Sequence, residues 1–135
     1  MMILPEFIKN NDVDYSFNRI SSEKICEYED KTGVKFGCLL KRYILDYGYL
    51  GYRHIEFFGI NNVQGINSDM LHKTFWLHEN FAKTKNLIAI EDQGDGDYYL
   101  VDSNDLVYRF VVANNELIFK NIDLFEYILQ RFLTI

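Results

Sequence analysis

Cysteine and proline are scarce in this sequence. Its 135 residues contain two cysteines, Cys26 and Cys38, and one proline, Pro5. The cysteine spacing fits neither a metal site nor a redox motif, and two cysteines do not build a disulfide framework, so we expect two reduced core thiols in a cytoplasmic protein. A single proline and the lack of any Ser/Gly-rich stretch argue against an internal linker. We therefore expect one domain over residues 1–135.

Signals for secretion and for membrane insertion are also missing. The apolar start at residues 1–4 has no basic residues before it and is interrupted by Pro5 and Glu6. We therefore expect it to be neither a signal peptide nor a membrane span. This supports the expected cytoplasmic location.

No signature of catalysis or of a cofactor site is present. His72 and His78 are six residues apart, which places them on different faces of one helix, and His54 stands alone in a predicted strand. No Ser, Cys or Lys lies beside a recognisable base, and no glycine-rich loop opens a helix as a phosphate site would. We therefore expect neither an enzyme nor a cofactor.

Positive charge is absent between Lys85 and Arg109. The stretch between them holds six acids, Glu91, Asp92, Asp95, Asp97, Asp102 and Asp105. The chain has 20 acids and 14 bases, so removing these six acids leaves 14 of each, and the net charge of −6 is accounted for by this stretch. Because Lys and Arg drive phosphate binding, this balance disfavours nucleic acid and anionic membranes and weakly favours a basic partner.

The strongest local signal is a β-hairpin over residues 87–102. Two runs rich in β-branched and aromatic residues flank the link Gly94-Asp95-Gly96-Asp97. Glycine takes positive φ without a Cβ clash, and aspartate can bond the turn backbone, so this link can reverse the chain. The acids gather at one end of the hairpin, which makes that end the first candidate for function.

The first part of the chain indicates helices. Residues 1–20 alternate only loosely and predict an irregular arm or a short helix. Ser21 is a good N-cap and Gly33 a good stop for a first helix, and a second helix runs over about 37–47 with Gly48 as its stop. Together they predict a helical hairpin.

The remainder predicts strands around one middle helix, followed by a final helix. A turn at 48–51 leads to a strand over 54–60, and Asn67 or Ser68 opens a helix over 69–81. Four strands separated by turns follow, over 87–91, 97–102, 106–112 and 116–120. The predicted fold class is α+β, an antiparallel β-meander sheet of about five strands packed with an N-terminal helical hairpin, a middle helix and a C-terminal helix.

The last two helices have recognisable apolar stripes. The candidate stripe of the middle helix is Leu71, Phe75, His78 and Phe81. The final helix begins at Asp123, close to a capping box. Its apolar face is Leu124, Phe125, Ile128, Phe132 and Leu133.

The order of these motifs resembles a known family. The matching motifs are an acidic helix with its partner helix, a strand ending in Phe58-Gly59, a further helix, Ile88-Ala89-Ile90 running into Gly94-Asp95-Gly96-Asp97-Tyr98-Tyr99-Leu100-Val101-Asp102, and a closing Asp123-Leu124-Phe125 helix. Over roughly residues 21–133 the chain resembles the SUKH superfamily, the Smi/Knr-type domain. It departs from the family where Phe36-Gly37 replaces a frequent Leu-Pro.

The resemblance implies a non-catalytic α+β domain used for protein recognition. Most bacterial members are immunity proteins, which bind a toxin domain, often a nuclease. Nuclease faces are usually basic because they hold phosphates, and carboxylates can take the place of those phosphates. We therefore expect the chain to bind and neutralise a basic toxin domain through an acidic face, with a monomer favoured over an oligomer.

The predicted partner-binding residues fall into two groups. The first comprises hairpin carboxylates and the tyrosines that follow them, namely Glu91, Asp92, Asp95, Asp97, Tyr98 and Tyr99. A standard interface takes about 800 Å² from each partner, which is more than a turn offers. Tyr49 and Tyr52 form the second group, because tyrosines are enriched where one end is buried and the other is wet.

Three alternatives stay open. Each aspartate of the hairpin could serve the turn backbone alone, and for Asp102 this is the better explanation. The domain could be a regulatory adaptor without a toxin, as the eukaryotic relatives of the family look like scaffolds. Asp92, Asp95 and Asp97 could hold a hard cation or serve a hydrolytic enzyme, although their spacing misses the calcium-loop pattern.

Overall fold

The computed structural model describes residues 2–16, 20–60 and 69–134, which form five α-helices and two antiparallel sheets. The helices are α1 Leu4–Asn10, α2 Ser22–Thr32, α3 Cys38–Arg42, α4 Met70–Asn80 and α5 Leu124–Leu133. The strands are β1 Asp14–Tyr15, β2 Leu50–Tyr52, β3 Ile55–Glu56, β4 Ile88–Asp92, β5 Asp97–Val101, β6 Leu106–Val111 and β7 Glu116–Asp123. The predicted α+β fold class is confirmed.

The larger sheet is the predicted antiparallel meander, with strand order β4-β5-β6-β7. In its first hairpin, Asp92 of β4 lies opposite Tyr98 of β5. Gly94 and Gly96 in the connecting turn have φ of 85° and 88°, values that only glycine adopts without strain. The turn chemistry predicted for this hairpin is confirmed.

The strand count differs from the predicted five, because three short strands form a second sheet with order β1-β2-β3. The predicted strand over 54–60 is reduced to β3, and β2 occupies the predicted turn at 48–51. Gly51 lies in β2, and a side chain is excluded there because a Cβ would overlap the Tyr49 hydroxyl. This glycine therefore marks a close contact and not a reversal of the chain.

The N-terminal arm contains a helix as well as β1. Pro5 occupies the first turn of α1, where its missing N–H costs no hydrogen bond. The helix buries Leu4, Phe7 and Ile8, and the Phe7 ring stacks on Phe132 of α5 with 5.7 Å between ring centroids. The arm is thus fixed by a contact with the other end of the chain.

The predicted helical hairpin is present. Ser21 caps α2 by accepting a hydrogen bond from the Lys24 N–H at 3.2 Å, and Gly33 ends it with φ of 74°. After α3 the chain continues into a π-helical segment, Tyr43–Tyr47, and Gly48 ends this second unit with φ of 68°. All three of these boundary residues were predicted.

Aspartates begin the last two helices. Asp69 caps α4 by accepting the His72 N–H at 2.9 Å, and Asp123 caps α5 by accepting the Glu126 N–H at 2.9 Å. The cap of α5 was predicted. The opening of the middle helix predicted at residues 67–68 lies outside the described residues.

The buried face of α4 is one position away from the predicted stripe. The helix buries Met70, Thr74 and Leu77. The predicted stripe residues are half-buried, namely Leu71, Phe75, His78 and Phe81. The Thr74 hydroxyl accepts a hydrogen bond from the Ala89 N–H at 3.0 Å, and this bond to β4 sets the rotation of the helix.

Three residues predicted to be in the core are at the surface. Cys26 and Cys38 are free thiols, but both are exposed. α2 buries the face that includes Ile25 and Tyr28, and Cys26 lies off that face. Leu133 is 55% exposed at the end of α5. The prediction of core thiols is therefore wrong.

Candidate functional site

Glu91 lies inside the protein, although it is one of the predicted partner-binding residues. It is 1% exposed. Arg131 of α5 donates to its carboxylate through Nη2 at 2.7 Å and through Nε at 3.0 Å, and the Tyr127 hydroxyl donates to the other oxygen. Because the Glu91 carboxylate is buried and paired with the Arg131 guanidinium, it offers no free charge to a partner.

The groups around Glu91 have shifted pKa values. Burial raises the pKa of the Tyr127 hydroxyl far above its usual value, and the charge of Glu91 raises it further. Burial alone would lower the pKa of Arg131, but its bonds to Glu91 outweigh burial and raise it. The Gln93 amide also donates to the Tyr127 hydroxyl, at 3.1 Å. This network ties α5 to the turn end of the β4–β5 hairpin.

Asp97 is also paired within the protein. It is 7% exposed, and Arg109 of the neighbouring strand β6 donates to its Oδ2 from Nε at 2.7 Å and from Nη2. The hydrogen bond that Arg109 donates to Asp97 raises the pKa of Arg109. The stretch that lacks Lys and Arg is therefore partly neutralised by Arg109 and Arg131, which follow it in the sequence.

Asp92 and Asp95, which we call the acidic tip, are the exposed carboxylates of the hairpin turn. Asp92 Oδ1 accepts the Gly94 N–H at 2.8 Å, and Asp95 Oδ1 accepts the Asp97 N–H at 3.1 Å. Within the described ranges, no Lys or Arg forms an ion pair with either of them. The two carboxylates therefore support the turn and still face the solvent as charges.

The last two acids of the stretch have structural roles. Asp102 accepts the N–H groups of Asn104 at 2.8 Å and Leu106 at 3.1 Å, which is the predicted turn chemistry. Asp105 is buried, and its two oxygens accept N–H groups of Leu39 and Leu40, each at 2.9 Å. It thus caps α3 from a distant part of the chain.

The missing side chain of Gly37 is explained by this cap. Gly37 precedes α3 and supplies no capping group of its own. A Cβ on Gly37 would overlap the Asp105 carboxylate. The departure from the family pattern at Phe36-Gly37 therefore makes room for an acid that arrives from the turn before β6.

The four predicted tyrosines do not form one surface. Tyr98 is buried beside the acidic tip, and Tyr99 is half-buried and stacks on Tyr127 with 4.9 Å between ring centroids. Tyr49 is buried and donates its hydroxyl to Glu56 at 2.6 Å. Tyr52 packs among the aromatic rings of α1 and α5. Of these residues, Tyr98 is the one that joins the hairpin carboxylates to a further surface.

That further surface is built on α4 and was missed in the sequence. Trp76 is 40% exposed, and its ring centroid lies 5.8 Å from that of Phe81 and 6.0 Å from that of Tyr98. Lys73 Nζ lies 5.8 Å from the Trp76 centroid and 5.9 Å from the Tyr98 centroid. We call these four residues the Trp76 cluster. The single tryptophan of the sequence was the available signal, because Trp is enriched in binding surfaces.

The acidic tip and the Trp76 cluster are adjacent. Asp92 lies directly opposite Tyr98, and side chains of directly opposite residues share one face of the sheet. Burial raises the pKa of Tyr98, and the charge of Asp92 raises it further. An exposed aromatic ring and the Asp92 carboxylate thus lie on one continuous surface.

A separate groove of about 560 Å³ lies along α5. Its walls include Ile3, Leu39, Phe125 and Leu129, with Arg42 at its side. None of its lining residues belongs to the acidic tip or the Trp76 cluster. The two surfaces can therefore be changed independently.

Two further features concern metals and membranes. Within residues 2–16, 20–60 and 69–134, no group of three or more His, Cys, Asp or Glu side chains could hold a metal ion. In the same ranges, no helix has both the length and the apolar character that a bilayer crossing needs.

Comparison with protein families gives a match over nearly the whole chain. The model of the SUKH_5 family, described as "SMI1-KNR4 cell-wall", matches residues 3–133. A comparison with curated proteins found no match. The family match includes every helix and strand described above. The chain therefore belongs to the SUKH family of Smi/Knr-type domains.

Proposed function

We propose that this chain is a non-catalytic, cytoplasmic protein-binding domain that acts as an immunity protein against a toxin domain with a basic surface. Family membership supports a domain of this kind, since members are commonly immunity proteins. The observation that carries the proposal is the exposed Asp92 carboxylate beside the Trp76 cluster, with Asp95 exposed in the same turn. The proposed interface contains Asp92, Asp95, Trp76 and Tyr98.

Each part of this surface has a separate role in binding. The carboxylates of Asp92 and Asp95 accept charge-assisted bonds from Arg and Lys that would otherwise hold phosphates. They mainly raise the association rate, because complementary charge steers the encounter. The Trp76 ring supplies the apolar contact that lowers the dissociation rate. Glu91, Asp97 and Tyr99 support the hairpin from within and do not contact the toxin.

The acidic tip is tested by charge reversal. The partner to use is the protein encoded beside this gene, because immunity proteins are normally encoded next to their toxin. Asp92→Lys together with Asp95→Lys should slow association at least about tenfold at low salt and flatten its salt dependence. Glu23→Lys together with Asp30→Lys changes the net charge equally at exposed sites on α2 and should have a small effect. Equal effects of the two pairs would contradict the proposed surface.

The aromatic anchor is tested in the dissociation rate. Trp76→Ala should raise the dissociation rate by about thirtyfold, which corresponds to a loss of about 2 kcal/mol. Leu133→Ala, which truncates an exposed residue of the separate groove, is the matched control. If the neighbouring gene product neither binds nor is neutralised in cells, the adaptor function becomes the better explanation.

A further inference from the structure

β7 is an edge strand with an exposed outer side. It is the last strand of the larger sheet, and no described residue pairs with its other edge. Glu116, Phe119 and Lys120 are exposed, and Phe119 is 49% exposed although it is a large aromatic residue. A long edge strand with an exposed aromatic residue is a template for pairing with another strand.

Alternate residues of β7 direct their backbone N–H and C=O groups away from the sheet. Val112, the residue that follows β6, donates its N–H toward the β5 side, to Gly96. The preceding residue, Val111, is therefore directed toward β7, where it pairs with Glu116. Glu116 and Ile118, which pairs with Arg109, thus bond inward. The outward-directed residues are Leu117 and Phe119.

The sequence of this edge is complementary to itself. In an antiparallel pair of two copies centred on Ile118, Glu116 of each copy lies opposite Lys120 of the other. Leu117 then lies opposite Phe119, and these are the residues with free backbone groups. The charged residues fall at non-hydrogen-bonded positions, where opposite side chains are closest. A shift by one residue in either direction breaks the charge pairing.

We propose that a second copy of this chain pairs with β7 in this register. The two four-stranded sheets would then form one continuous sheet across a two-fold axis at Ile118. The pairing covers Phe119, whose ring contacts Tyr108 at 5.2 Å between centroids. Asn121 has φ of 54°, which interrupts regular strand geometry and confines the pairing to 116–120. This inference is independent of the proposed function and departs from the monomer expected from the sequence.

The expected dimer is weak. Five paired residues bury less surface than a standard interface, so the dimer should form between micromolar and millimolar protein concentration. Sedimentation equilibrium over that range measures the dissociation constant directly. A wild-type chain that stays monomeric up to millimolar concentration would overturn the proposal.

A charge-swap cycle tests the register. Lys120→Glu places two like charges opposite each other at both ends of the interface, as does Glu116→Lys, and each should weaken the dimer about tenfold or more. The double variant restores opposite charges in every pair and should regain most of the affinity. Thermal melting of each variant shows that the fold is kept. The register would be overturned if the single variants do not weaken the dimer, or if the double variant does not regain dimer affinity.

A backbone test uses the outward N–H of Phe119. Phe119→Pro removes that donor and leaves the ladder with β6 unchanged, so dimerisation should be lost. Phe119→Ala keeps the N–H donor, so its dimer affinity should fall less. If both variants lose dimerisation equally while both melt like the wild type, the ring and not the backbone makes the contact, and strand pairing is wrong.

Discussion

At its turn end, the β4–β5 hairpin carries the same kind of side chain in opposite environments on its two faces. Glu91 on the α5 face is 1% exposed and is bonded to Arg131, whereas the next residue, Asp92, is exposed on the other face. Side chains alternate across a strand, so neighbouring carboxylates face opposite sides of the sheet. One side meets α5, and the other side meets solvent beside Trp76.

This difference separates stability from binding. Removing one partner of a buried ion pair leaves the other charge buried and uncompensated, which is costly. An exposed carboxylate contributes little to stability, because water and salt screen it. Losses of stability and losses of binding should therefore fall on different acids of the same hairpin.

The largest expected loss of stability follows from removing the buried carboxylate of Glu91. Glu91→Ala should lower the free energy of unfolding by about 3–5 kcal/mol, because Arg131 loses its carboxylate and Tyr127 loses its acceptor. Asp92→Ala should cost less than about 1 kcal/mol, since it loses one exposed turn bond. Urea denaturation followed by circular dichroism measures both. Equal losses would mean that the buried Glu91 and the exposed Asp92 do not differ in their contribution to stability.

A smaller loss is expected at the long-range cap. Asp105→Ala should cost about 2 kcal/mol, because the N–H groups of Leu39 and Leu40 lose their acceptors in a buried place. Ser21→Ala, which removes a single exposed cap bond on α2, should cost about 0.5–1 kcal/mol in the same denaturation experiment. An Asp105 variant as stable as the Ser21 variant would show that α3 does not depend on this acid.

The smallest expected effect is the pH dependence that Tyr127 gives to the free energy of unfolding. Tyrosine in the unfolded chain titrates near pH 10, and the pKa of Tyr127 is raised in the folded protein. Below pH 10 the hydroxyl is protonated in both states, so it adds no pH dependence to the free energy of unfolding. Above pH 10 the unfolded state loses a proton that the folded state keeps, so stability falls by about 1.4 kcal/mol per pH unit for this group.

Tyr127→Phe tests that dependence. The variant lacks the titrating hydroxyl, so its stability should fall less steeply than that of the wild type above pH 10. The difference in unfolding free energy between the two proteins should change by about 1 kcal/mol between pH 10 and pH 11. Other buried tyrosines, such as Tyr43, add the same decline to both proteins. Parallel curves in urea denaturation would mean that the folded protein does not keep this hydroxyl neutral.

Local features of the fold were predictable because their causes are local. Ser21, Gly33 and Asp123 mark helix ends through bonds made within four residues, and the glycines of the hairpin turn have the positive φ that their type predicts. The position of β2 was not predictable. Gly51 has its role because of the Tyr49 side chain, and a glycine pattern alone does not distinguish a tight contact from a turn.

The candidate site was only partly predictable. Asp92 and Asp95 are exposed as expected, but the position of Glu91 depends on Tyr127 and Arg131, which lie 36 and 40 residues later. No local pattern reports a partner at that distance. Trp76 was missed because its exposure depends on how α4 rotates over β4.

The sequence by itself determined the class of the fold, several helix ends, the four-stranded meander and the excess of acid in one stretch, because caps, turns and periodicity act between near neighbours. The tertiary structure alone decided which of those acids are charges facing water. Burial and ion pairing depend on α5 and β6, whose arginines, Arg131 and Arg109, pair with two of the carboxylates, whereas no ion pair among the described residues includes Asp92 or Asp95.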